Sequence, residues 1–124
     1  MAKVLGVGGV FFRSKDPQAL ADWYKKHLGM DVEAWGSTHG MGFGPEQMPK
    51  KSYTVWSVFP ADSDYLGKQQ QGFMINLVVD NLAEMLEQLK AGGVEVEDSK
   101  ESSEYGDFGW FYDLDDNKVE LWQP

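Results

Sequence analysis

Glu120 is an acidic residue set into an otherwise apolar run, Val119-Glu120-Leu121-Trp122, close to the end of the chain. Alternate residues of an extended strand share a face, so Glu120 and Trp122 point one way and Val119, Leu121 and Gln123 the other. On an inward face this carboxylate can accept hydrogen bonds from a ligand or act as a general base. On an outward face it is a solvated charge, because acids are seldom fully buried without a partner. Arg13 is the chain's one arginine. Alternation along residues 4–13 puts it on the face of Gly9 and Phe11, where a guanidinium can pair with Glu120 or hold a ligand carboxylate. The other reading is a surface charge at a strand end. His27 falls in a last helical turn, where the dipole favours a cation, and His39 falls in a loop. Neither has a Ser, Asp or Cys arrangement for nucleophilic catalysis. Asp113, Asp115 and Asn117 resemble the start of a calcium loop, but Lys118 stands where the turn glycine is needed and no Glu closes the loop.

These residues need elements to hold them. Residues 109–124 read as a hairpin, two aromatic runs around the polar turn 113–117, with Asp116 in the left-handed conformation. Residues 4–13 read as a strand with glycines at its start. Asp16 caps a helix with Pro17 first, Leu20, Trp23, Tyr24, His27 and Leu28 form its buried stripe, and Gly29 stops it. A short strand over 30–35 leads into the Gly-, Met- and Lys-containing loop 36–52, whose Met41, Phe43 and Met48 suit an adaptable lid, the other reading being a disordered surface excursion. Residues 53–59 are the next strand, and 61–72 a polar surface connection. A second round follows: a strand over 72–79, Asp80 as helix cap, a stripe of Leu82, Met85, Leu86 and Leu89, a stop at Gly92-Gly93, a short strand 94–96 and an acidic loop 99–107.

Both rounds keep one spacing. An offset of 64 relates Gly8 to Gly72, Asp16 to Asp80, Gly29 to Gly93, Val55 to Val119 and Pro60 to Pro124, which predicts an internal duplication. The expected division is module 1 over 1–60, a connection over 61–71 and module 2 over 72–124, all in one domain. Each strand–helix–strand–strand–strand unit is too small to bury both faces alone, so the two must pack together.

Composition narrows the function classes. The 124 residues carry a formal net charge of −9, which disfavours nucleic acid and anionic membrane as partners. There is no cysteine, hence no disulfide or thiolate chemistry, which suits a reducing cytoplasm. Nothing at the start reads as a signal peptide, and no run has the apolar length to cross a bilayer.

Asp16 with Trp23-Tyr24-x-x-x-Leu28-Gly29, Val79-Asp80-Asn81-Leu82 with Gly93-Val94, Phe108-Gly109-Trp110 and the terminal Asn117-Lys118-Val119-Glu120-Leu121-Trp122 together resemble the vicinal oxygen chelate superfamily. That family includes glyoxalase I, bleomycin-resistance proteins and extradiol dioxygenases. The resemblance implies an α+β fold in which two βαβββ modules form a half-open barrel around a cavity. It places the family's four metal-ligand positions at Gly9, Trp56, Phe73 and Glu120. Three of these four side chains cannot coordinate an ion, and a shift of two residues brings only Phe11 and Ile75. A divalent site generally needs about three protein ligands, so the expectation is a degenerate metal site and no cofactor, a divalent metal being disfavoured.

The expected function is therefore binding of a small, partly apolar molecule in the central cavity of a homodimer. Trp56, Phe73, Ile75 and Trp122 would give contact area, Gly9 and Phe11 room and packing, and Glu120 and Arg13 polar anchors. One alternative is a glyoxalase-type metal-dependent lyase or isomerase that uses Glu120 as base or ligand and completes its site from a loop or second subunit. Another is a structural or interaction module whose aromatic residues only fill the cavity.

Overall fold

The structure is a computed structural model and describes residues 1–124 except Gly6 and Gln69. Helix α1 (Pro17–Leu28) starts where Asp16 accepts a hydrogen bond from the Ala19 amide at 3.1 Å, and it ends at Gly29 with φ 67°. Strands β1 (Glu33–Trp35) and β2 (Thr38–Gly40) then form a small antiparallel hairpin. After a 3-10 turn at Pro45–Gln47 come β3 (Ile75–Val78), α2 (Leu82–Ala91), β4 (Glu101–Ser103), β5 (Gly106–Tyr112) and β6 (Lys118–Gln123). The last four strands make one sheet in the order β3-β6-β5-β4; β3 runs parallel to β6 and the other pairs are antiparallel. This is the mixed α+β architecture with two helices that the sequence predicts.

The core lies between the helices and one face of this sheet. Leu20 and Tyr24 of α1 and Leu82, Leu86 and Leu89 of α2 pack with Phe111, Val119 and Leu121. The alternation seen in the sequence does this work, since Val119 and Leu121 face the helices while Glu120 and Trp122 face away. Asp116 takes φ 66° in the β5–β6 turn, as expected there.

Several elements differ from the sequence reading, each for a local reason. The α2 cap is Asn81 and not Asp80, its side chain accepting from the Glu84 amide at 3.0 Å. The next amide, Leu82, is taken by the Gln123 side chain at 2.8 Å, so the end of β6 fixes where the helix begins. Residues 94–96 contribute one isolated bridge, Val96 to Phe111, and no strand. The loops 36–52 and 99–107 in turn hold short strands, β2 and β4. The largest difference is in the first half. The described residues of 4–13, and residues 53–59, form no strand. They are exposed, with Leu5 at 90% and Phe11 at 96%. Among the described residues no backbone ladders with them, and a strand needs such a neighbour. Each half holds one capped helix, whereas among the described residues a four-stranded sheet stands in the second half alone.

Candidate functional site

On the face away from the helices, β6 offers Lys118, Glu120 and Trp122, and β5 offers Phe108, Trp110 and Tyr112 directly opposite them. Glu120 is 9% exposed. One carboxylate oxygen accepts from the Tyr65 hydroxyl and the other from the Asn76 amide at 2.7 Å. Lys118 is equally enclosed; its ammonium donates to the Tyr65 carbonyl at 3.0 Å and lies 3.4 Å from Glu97. Tyr112 donates to the same Glu97 at 2.8 Å. The result is a connected polar band across an aromatic sheet face, with each buried charge supplied with a partner.

Tyr65 closes this face. Its ring stacks on Phe59 at 5.4 Å and meets Trp110 edge-on at 6.1 Å. Burial, then the hydrogen bond to Glu120 and that residue's charge, push the phenol well above its usual range. The Trp110 indole acts in the opposite sense, although its buried N–H makes no hydrogen bond of normal geometry. Tyr112 is likewise raised, to about 12, by burial and by its bond to Glu97. For raised phenols the sign is fixed: stability is full below about pH 10 and falls as pH rises, because the unfolded chain ionises its tyrosines first. Thermal unfolding between pH 8 and 11 should show this fall, and Tyr65→Phe should flatten it. An unchanged slope in Tyr65→Phe would refute the assigned contact.

The connection that carries Tyr65 was expected to be mere surface. Besides Tyr65, two more of its side chains hold the sheet or its turn. The Gln71 side chain donates to the Lys118 carbonyl at 2.7 Å and accepts from its amide at 2.8 Å, so it extends the ladder beyond β3. Lys68 pairs with Asp116 on the far turn. Asn76 was also missed, for a reason of register. Parallel pairing sets Asn76 beside Glu120 and Ile75 beside Val119. Ile75, and Phe73 two residues before it, therefore belong to the other face of that strand from Glu120.

The remaining predicted residues separate into two places. Trp122 is 4% exposed and held by rings, stacked on Phe108 at 6.0 Å and edge-on to Tyr53 at 5.2 Å, while its indole N–H donates to the Tyr105 carbonyl at 2.8 Å. Phe11, Arg13 and Phe73 line a different feature, an open cleft of about 510 Å³ shared with Phe12, Gln71 and Asn117. Arg13 enters none of the ion pairs found among the described residues. Gly9 is exposed, and a β-carbon placed there would meet only the Phe11 ring, at 3.8 Å. Trp56 is 79% exposed and lines no part of the cleft.

The donor chemistry around Glu120 does not suit a divalent cation. Its neighbours are an amide, a phenol and an indole, and each carboxylate oxygen accepts one hydrogen bond from them. Among the described residues no three His, Cys, Asp or Glu side chains group together, whereas such ions are generally held by about three ligands of that kind. No helix is long and apolar enough to cross a membrane among the described residues.

Comparison with solved structures finds the same fold in distant proteins. The chain is similar to a glyoxylase/bleomycin resistance protein/dioxygenase domain from Frankia sp. EAN1pec, at 15% identity over 98% of each chain with a TM-score of 0.58. It is similar to a member of that superfamily from Sphaerobacter thermophilus, at 17% identity over 100% of this chain and 98% of the other, TM-score 0.53. It is also similar to TnmS3, an antibiotic binding protein from Streptomyces sp. CB03234, at 20% identity over 88% of each chain, TM-score 0.53. A comparison with curated proteins returned no match. Residues 6–121 match the family model described as Glyoxalase/Bleomycin resistance protein/Dioxygenase superfamily, and with nearly the whole length matched, the chain belongs to that superfamily.

Proposed function

We propose that this protein is a homodimeric binder of a small, partly apolar anion and needs no metal ion for that binding. The observation that carries the reading is the placement of Arg13. A guanidinium with no carboxylate partner among the described residues borders an aromatic cleft beside Phe11 and Phe73. Such a cleft offers ring faces to a flat body and a bidentate donor to a carboxylate or similar group. Glu120 has the opposite character. With one oxygen accepting from Tyr65 and the other from Asn76, it is tied into the sheet face rather than standing free as an anchor. A binding role is also what is named for TnmS3, which shares the fold.

The test uses 1-naphthoate as probe and chelator-treated protein. Calorimetry should give saturable binding that weakens about tenfold in Arg13→Gln, equivalent to roughly 1.4 kcal/mol. Equal affinity in wild type and Arg13→Gln would remove the cleft from consideration. The competing lyase or isomerase reading expects stoichiometric Zn²⁺ or Ni²⁺ in the purified protein that is lost in Glu120→Ala.

A further inference from the structure

Tyr65 is held as a bound phenol would be held, although it belongs to the connection between the two halves. Its ring lies nearly parallel to Phe59, 9° apart in plane, and edge-on to Trp110. Its hydroxyl donates to Glu120, while the Asn76 amide fixes the other carboxylate oxygen from β3. The Lys118 ammonium stands 5.2 Å from the ring centroid. Directly across the sheet from Glu120 is Trp110, 4% exposed. Its indole N–H lies by the same phenol oxygen yet completes no hydrogen bond, there or with any other described residue. A buried donor without an acceptor is costly. Glu120 and Trp110 thus offer an acceptor and a donor to one hydroxyl, and Tyr65 satisfies only the acceptor.

Little keeps Tyr65 in place. Residues 60–68 are a run of turns whose backbone hydrogen bonds stay inside the segment, from Ser63 to Pro60 and from Gly67 to Asp64. Among the described residues, no backbone–backbone hydrogen bond joins this strap to the sheet. Its ties are Tyr65 on Glu120, the Lys118 ammonium on the Tyr65 carbonyl at 3.0 Å, and Lys68 on Asp116. Both partners of the last pair are more than half exposed, and an exposed ion pair contributes little. A segment tied by a few side chains opens at low free-energy cost. Close approach depends on Gly67, which has φ 102°. A β-carbon there would fall 2.9 Å from the Lys118 β-carbon.

We propose that Tyr65 is a built-in occupant of a second binding site, one for a small neutral hydroxyarene, and that the 60–68 strap swings out when such a molecule takes its place. The incoming hydroxyl donates to Glu120 and accepts from Trp110, which supplies the contact that Tyr65 lacks. The incoming ring meets the edge of Trp110 and the Lys118 ammonium as the Tyr65 ring does now. The site differs from the Arg13 cleft in both place and preference. Phe73 of the cleft belongs to the other face of its strand from Glu120. A guanidinium attracts a carboxylate, whereas an accepting carboxylate selects a hydroxyl that keeps its proton and repels an anion. The strap also sets the affinity, because the apparent dissociation constant rises as the open fraction falls. This inference stands apart from the anion binder read above and adds a ligand class to the same chain.

The probe is 4-methylphenol, the tyrosine side chain without its backbone, with 4-methylanisole as the matched ether that cannot donate. Calorimetry should show Tyr65→Gly binding 4-methylphenol about tenfold or more tighter than wild type does. It should also bind the phenol about tenfold tighter than the ether, the worth of one hydrogen bond. The chain has five tryptophans, so its indole N–H resonances can be followed singly. In wild type the one that vanishes in Trp110→Phe should move downfield as millimolar 4-methylphenol is added. Gly67→Ala keeps Tyr65 and every wall of the site but crowds the strap, and should bind the phenol several-fold tighter than wild type. That variant carries the test even where the glycine at position 65 impairs folding. Three results would each overturn the proposal: an ether bound as well as the phenol, a Trp110 resonance that stays fixed, or a Gly67→Ala protein no tighter than wild type. The 1-naphthoate titration reads the Arg13 cleft, so either site can fail without the other.

Discussion

Asp113→Ala should lower the stability of the protein by about 3 kcal/mol, the range found when one partner of a buried charged network is removed. Asp113 is 7% exposed and has four donors. The Tyr24 hydroxyl reaches Oδ2 at 2.8 Å and the Asn117 side-chain amide reaches it at 3.0 Å. The Asp115 and Asn117 backbone amides both reach Oδ1 at 2.9 Å. Alanine would leave all four groups short of an acceptor, three of them within the β5–β6 turn. The contact with Tyr24 also ties α1 of the first half to the hairpin of the second. Burial first, then the Asp113 charge, raises the Tyr24 phenol far above its ordinary value, so the hydroxyl stays a donor throughout the physiological range. Urea unfolding is the measurement. Asp113→Asn, which keeps one acceptor oxygen, should cost about half as much, and Tyr24→Phe about 1 kcal/mol. A loss under about 1 kcal/mol in Asp113→Ala would mean that solvent reaches these donors.

Phe111→Ala should cost still more, about 3–5 kcal/mol, the range for truncating a fully enclosed aromatic ring. Phe111 is 0% exposed and is among the largest side chains sealed in the core. It stacks on Trp23 with centroids 6.0 Å apart, pairs across the sheet with Val119 and bridges to Val96. Its loss would open a cavity where helix α1, the sheet and the 94–96 segment converge. The same unfolding experiment on Leu114→Ala, a half-exposed turn residue, serves as control and should stay within about 0.5 kcal/mol. Similar values for the two variants would contradict the assigned core.

What could be read in advance and what could not follows the range of the interactions involved. The caps at Asp16 and Gly29, the two amphipathic stripes, the left-handed Asp116 and the shared face of Glu120 and Trp122 all came from residues within a few positions of each other. Helix caps, turns and strand alternation are local, so a sequence carries them openly. Even the one-residue error at the α2 cap has a distant cause, because Gln123 takes the Leu82 amide from 41 residues away.

The site was legible only in part. Lys118 stood two residues from Glu120 and shared its face by plain alternation, so that signal was present. Asn76 needed the parallel register of β3 on β6, and Tyr65 needed the connection to fold back over the sheet. Neither relation has a sequence period, since both depend on which backbones lie side by side.

By itself the sequence determined two capped helices, an aromatic terminal hairpin and a lone arginine beside phenylalanines. Composition and short-range geometry suffice for those. Tertiary structure alone decided that Glu120 is hydrogen-bonded by Tyr65 and Asn76, that Arg13 stands instead in a cleft with Phe11 and Phe73, and that the described residues of 4–13 and residues 53–59 lie bare. The physical reason is that a strand's partners and a buried acid's hydrogen bonds are supplied by chain far away in sequence, and only folding brings that chain near.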